Sequence, residues 1–137
     1  MTPKRYISYF PNQKITFNIT SDQPSMIITH SLGLINALIY CSEIKSTSIK
    51  IIAIDPPDIS LDSIKERFLN MPYDLKEIYK KYLDNNINIS HYNVYLFRNI
   101  KNLNYLDTPL YKYKEYYKKD THYPYEDKLL RQRILSL

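Results

Sequence analysis

One stretch, residues 25–43, constrains the fold of this 137-residue chain more than any other. It begins after Pro24 with a short apolar run, Met26–Ile28, which predicts a buried strand. Thr29–Gly33 follows directly and reads Thr-His-Ser-Leu-Gly, with Ser31 at its centre. Apolar side chains then recur near the period of a helix, at Leu34, Ile35, Leu38, Ile39 and Cys41. The sequence therefore predicts a strand that passes into a helix through a very short turn.

The position of Ser31 in this turn makes it a candidate nucleophile. A serine there lies at the carboxyl end of a strand and beside the first turn of a helix, where backbone N–H groups can stabilise an oxyanion. The alternative is a structural role, in which the Ser31 hydroxyl accepts a hydrogen bond from the first helical turn as an N-cap. Serine at a strand-to-helix junction is more often a cap of this kind.

A second candidate, His122, lies in residues 120–126, between the last predicted strand and the last predicted helix. An imidazole at that place can take the proton of a serine hydroxyl and return it to a leaving group. The alternative for His122 is a solvated histidine in a polar loop. His30 and His91 are weaker candidates, because one adjoins Ser31 directly and the other precedes a strand in a loop.

Thr29–Gly33 and His122-Tyr123-Pro124 together resemble the α/β-hydrolases. In that family the nucleophile elbow reads Gly-x-Ser-x-Gly between a strand and a helix, and the chain order places the histidine last. Thr29 stands where the family has its first glycine, and Gly33 keeps the second. The resemblance implies that Ser31 is the nucleophile, that His122 is the base, and that the Leu32 N–H holds the oxyanion.

The acid of the triad is the weakest element of the resemblance. The family usually places it after the strand that we predict at Tyr92–Arg98, but asparagines follow here and Asp107 is the first carboxylate. Asp107 is therefore the candidate acid. Some relatives place the acid one strand earlier, which makes Asp55 or Asp58 the alternative.

The order of elements predicts an α/β fold, with a mostly parallel sheet and helices on both faces, in a single domain over residues 1–137. The predicted strands are Arg5–Phe10, Lys14–Thr20, Met26–Ile28, Ile49–Ile54, Tyr92–Arg98 and Tyr111–Tyr117, and the later predicted helices are Leu61–Leu69, Tyr73–Asp84 and Tyr125–Leu137. The resemblance implies a partial α/β-hydrolase fold that lacks the first strands. It also places residues 60–84 where the family has a lid. The apolar stripe of the second lid helix either lines a pocket above Ser31 or packs on the sheet.

Two functions follow from these predictions. The first is a small serine hydrolase that cleaves an ester, thioester or amide. The second is a catalytically inactive relative that serves as a binding or interaction protein, favoured by Thr29 and by the missing aspartate and front strands. An exposed sheet edge, at Arg5–Phe10 or Lys14–Thr20, would then pair with a protein partner or a second copy.

The remaining features argue against other classes of function. No histidines or carboxylates have metal-ligand spacing and no glycine-rich phosphate loop is present, so we expect neither a metal nor a cofactor. Lysines and tyrosines alternate in residues 111–119, but basic runs are usually solvated faces, so nucleic acid is not the favoured partner. No apolar run reaches membrane-spanning length and no secretory signal follows Met1–Arg5, so we expect a cytoplasmic protein.

Overall fold

The computed structural model describes residues 6–9, 25–59, 61–102, 111–118 and 127–137. Within them, the strands are β1 (Tyr6–Tyr9), β2 (Met26–His30), β3 (Lys50–Ile54), β4 (Asn93–Asn99) and β5 (Tyr113–Tyr117). The α-helices are α1 (Gly33–Glu43), α2 (Leu61–Phe68), α3 (Tyr73–Asp84) and α4 (Lys128–Leu135). Short 3₁₀ turns at Ile89–His91 and Ile100–Asn102 flank β4. The predicted strand Lys14–Thr20 lies outside the described residues.

The five strands form one sheet in the order β1-β2-β3-β4-β5, and every neighbouring pair is parallel. The predicted α/β class is therefore confirmed. Because all strands run the same way, their last residues meet at one side of the sheet, here called the carboxyl edge. In the register, His30 pairs with Ile54 and Ile54 pairs with Phe97, so β2, β3 and β4 end almost level.

Both faces of the sheet are covered by helices. Alternate residues of the same strand face opposite sides, as Ile27 and Ile28 do in β2. The α1–α3 side buries, among others, Ile27, Leu34, Leu38, Ile51, Ile64 and Val94. The α4 side buries Met26, Ile28, Ile52, Ile54, Phe97, Leu130 and Ile134. This two-sided burial explains why β2 and β3 read as nearly continuous apolar runs in the sequence.

The observed bounds of the elements differ most from the predicted bounds near the C-terminus. Helix α3 spans Tyr73–Asp84 as its stripe predicts, and its Tyr79 and Tyr82 side chains lie in the same core cluster as α1. Helix α4 begins only at Lys128, because the Asp127 carboxylate caps it by accepting a hydrogen bond from the Leu130 N–H at 2.9 Å.

None of the helices described is long and apolar enough to cross a membrane.

Candidate active site

The backbone of Ser31 is left-handed at the turn between β2 and α1. Ser31 follows the last residue of β2 and has φ = 54°, in the left-handed region. Its N–H donates to the carbonyl oxygen of Ile54, the last residue of β3, at 3.0 Å. A residue with a Cβ in this region costs roughly 1–2 kcal/mol, so the hydrogen bond to β3 maintains a strained turn.

Left-handed residues elsewhere in the described chain have an ordinary explanation. Lys45 and Asn86 follow the C-cap residues of α1 and α3, where this conformation commonly ends a helix. Ser31 and Asp55 instead follow strands, and they stand beside each other at the carboxyl edge. Aspartate is one of the few residues that tolerate this region, and serine is not, so the conformation of Ser31 is the unusual one.

The helix-cap interpretation of Ser31 is wrong. The N-cap position of α1 is Leu32, which has a helical φ of −64° and offers no side-chain cap. The N–H of Leu34 donates at 3.4 Å to the carbonyl oxygen of Ser31, not to its hydroxyl. Among the described residues no first-turn N–H of α1 donates to Ser31 Oγ. The half-buried hydroxyl is therefore not committed to holding the start of the helix.

The N–H of Leu32, the predicted oxyanion donor, lies at the start of α1. Leu32 lies between Ser31 and the first residue of α1, so its N–H belongs to the positive end of the helix. No carbonyl of the described residues accepts a hydrogen bond from it. A donor with these properties next to a nucleophile can stabilise the negative oxygen of a tetrahedral intermediate.

Thr29, the departure from the family motif, is accommodated by a hydrogen bond. Its side chain is 1% exposed, and its hydroxyl donates to the Ile52 carbonyl oxygen at 2.8 Å. A buried hydroxyl without an acceptor would destabilise the fold, whereas this one is satisfied by the neighbouring strand. Threonine at this place is thus compatible with the left-handed turn at Ser31.

A buried ion pair that the sequence did not predict lies beside this turn. The Arg98 side chain is 1% exposed, and its Nη1 lies 3.1 Å from Oδ1 of Asp55. The same Nη1 donates to the carbonyl oxygen of Pro56. Asp55, an alternative for the triad acid, thus carries the countercharge of a buried guanidinium. The other alternative, Asp58, is half-buried.

Two further titratable groups stand near this pair. Burial lowers the pKa of His30 below its usual 6.5, and the negative charge of Asp55 opposes that shift. Burial raises the pKa of Tyr117 far above its usual range, with Asp55 raising it further and Arg98 lowering it. No described residue bonds to the Tyr117 hydroxyl. The carboxyl edge therefore gathers polar groups from β2, β3, β4 and β5 into one region.

The predicted base and acid, His122 and Asp107, lie outside the described residues. Where the family has its aspartate, the chain places Asn99, whose Oδ1 accepts a hydrogen bond from the Lys101 N–H at 3.2 Å. Histidine, cysteine and carboxylate side chains of the described ranges form no group that could hold a metal ion.

Comparison with protein-family models, with curated proteins and with solved structures gives no match for this chain.

Proposed function

We propose that this protein is a small serine hydrolase that cleaves an ester, thioester or amide at Ser31, within a partial α/β-hydrolase fold. The observation that carries the proposal is the left-handed backbone of Ser31 between a parallel strand and a helix. A chain has no structural reason to keep a strained serine there, since glycine or asparagine adopts the same turn at lower cost.

The proposed mechanism uses four residues. Ser31 Oγ attacks the carbonyl carbon of the substrate while His122 takes its proton, and the Leu32 N–H donates to the oxyanion that forms. The tetrahedral intermediate then releases the alcohol, thiol or amine, which receives the proton from His122. Water, activated by the same imidazole, hydrolyses the acyl–Ser31 ester and regenerates the hydroxyl. Asp107 orients the imidazole of His122 in this scheme.

Asp107 is preferred over Asp55 as the acid because of charge. The carboxylate of Asp55 has a buried partner in Arg98, and a buried guanidinium deprived of its countercharge is strongly destabilising. An Asp55 that also bound an imidazolium would have to divide its oxygens between two cations. We therefore assign Asp55 to the ion pair and leave Asp107 as the orienting group.

A fluorophosphonate probe tests the proposal directly, because it reacts covalently with activated serines. We expect one adduct per molecule, located on Ser31 by peptide mass spectrometry. Ser31→Ala should abolish labelling, and His122→Ala should slow it by at least about 10³-fold, as the removal of a triad base does. Ser48→Ala is the matched control, since Ser48 is an exposed serine outside the site and its loss should change nothing.

Absence of labelling in folded wild-type protein would refute the hydrolase proposal. Labelling of Ser31 that persists in His122→Ala at the wild-type rate would remove His122 from it. If folded wild-type protein is not labelled, the alternative function holds, in which a hydrolase-like fold serves as a binding or interaction protein. Each variant should be checked by circular dichroism and thermal melting, so that loss of labelling is not mistaken for loss of the fold.

A further inference from the structure

We infer that Arg98 is a positioning residue, which acts through Asp55 to maintain the left-handed backbone of Ser31. This inference rests on the proposed function, because it gives the buried ion pair a role in the reactivity of Ser31. A chain of contacts that crosses β4, β3 and β2 supports it.

The first contacts join β4 to the end of β3. Arg98 is the last residue but one of β4, and its Nη1 binds both Oδ1 of Asp55 and the carbonyl oxygen of Pro56. The N–H of Asn99 also lies 3.4 Å from Oδ1 of Asp55. The guanidinium and the end of β4 therefore hold the two residues that leave β3.

The next contacts join the end of β3 to Ser31. Asp55 has φ = 47°, and its N–H donates to the Phe97 carbonyl oxygen at 2.6 Å. The preceding residue, Ile54, supplies the carbonyl oxygen that accepts the Ser31 N–H at 3.0 Å. The peptide that joins Ile54 to Asp55 contains this carbonyl, so a change at Asp55 rotates the acceptor of the Ser31 bond. Two left-handed turns on adjacent strands are thus coupled through one peptide group.

The buried charge of Arg98 explains why its contacts with Asp55 and Pro56 are stable. At 1% exposure the guanidinium has lost its water, so it requires the Asp55 carboxylate and the Pro56 carbonyl as partners. A planar guanidinium can direct several donors at once, whereas an ammonium is a compact charge without that fixed geometry. Methionine fills a similar volume but binds neither oxygen.

The test separates positioning from a general effect on stability. Arg98→Met alone leaves the partly buried Asp55 carboxylate without its cation, so the principal variant is Arg98→Met with Asp55→Asn, which removes both charges. We expect this double variant to fold. We also expect its Ser31 amide hydrogen to exchange faster by roughly 10- to 100-fold, and fluorophosphonate labelling to slow by a similar factor. Amides in the middle of α1 should keep their wild-type protection.

The matched control removes an ion pair elsewhere, with Glu43→Gln and Lys81→Met, whose side chains are paired on the surface. This control should change neither readout. If the Arg98–Asp55 double variant does not fold, Arg98→Lys with the same two measurements decides the question. Wild-type exchange at Ser31 and a wild-type labelling rate in the folded variant would overturn the inference. Should wild-type protein not be labelled at all, the proposed hydrolase function fails, and the exchange measurement alone still decides whether Arg98 positions Ser31.

Discussion

Replacing Ser31 by glycine should stabilise the protein while it removes the proposed nucleophile. With φ = 54°, Ser31 carries a left-handed strain of roughly 1–2 kcal/mol, which glycine does not have. Glycine also gives the unfolded chain more freedom, which costs about 0.5–1 kcal/mol. The net expectation is a gain of about 0.5–1 kcal/mol, or a rise in Tm of about 2–4 °C for a chain of this length.

The comparison variant for this prediction is Ser31→Ala, which removes the hydroxyl but keeps the Cβ and hence the strain. Differential scanning calorimetry or urea unfolding should find Ser31→Gly more stable than Ser31→Ala. The same pair of substitutions at Ser42, inside α1 and without a positive φ, should give the opposite order by about 1 kcal/mol. If glycine is no more stable than alanine at position 31, the left-handed turn does not exist in solution, and the observation that carries the proposed function is lost.

Two further predictions concern the pKa values of buried groups. Burial lowers the pKa of His30 in the folded protein below its usual 6.5. Between the lowered pKa and 6.5, the unfolded chain binds more protons at His30 than the folded protein does. The contribution of His30 to stability therefore falls as the pH drops below 6.5. The Tm of wild type minus that of His30→Gln should therefore decrease from about pH 7.5 to about pH 5.5, and a constant or rising difference would contradict this. Burial also raises the pKa of Cys41 from 9.0 to about 12, so at pH 8 an aromatic disulfide reagent should react with it about 1000-fold more slowly in folded protein than in urea. Rapid, complete modification of the folded protein would show that Cys41 is not in the core.

Most of the sheet could be predicted from the sequence because its strands have strong local signals. Apolar runs that end at a proline or at polar residues marked β2 and β3, and the amphipathic stripe of Tyr73–Asp84 gave both ends of α3. The sequence was less informative around β5, which is two residues shorter than predicted. Tyrosine and lysine alternate there, and a tyrosine can be either half-buried or exposed, so the pattern gave no clear start.

The candidate site was predictable only where it is local in sequence. The place of Ser31 followed from five consecutive residues between a strand and a helix. The ion pair between Asp55 and Arg98 joins residues 43 positions apart, and no spacing rule predicts such a contact. Its only sequence signal is an arginine near the end of a largely apolar strand, which needs a countercharge when the strand is central. The left-handed conformation at Asp55 likewise depends on partners from another strand.

The central claim is that Ser31 is the nucleophile of a site completed by His122. Its most direct test is the distance between Ser31 Oγ and the nearer imidazole nitrogen of His122 in a crystal structure of the protein. Both residues follow strands of the predicted parallel sheet, so we expect them to meet at the carboxyl edge, at about 3 Å in a closed site and about 4–5 Å without a ligand. A separation well beyond about 10 Å, in crystals of folded protein, exceeds any hydrogen-bonded arrangement and would contradict the account.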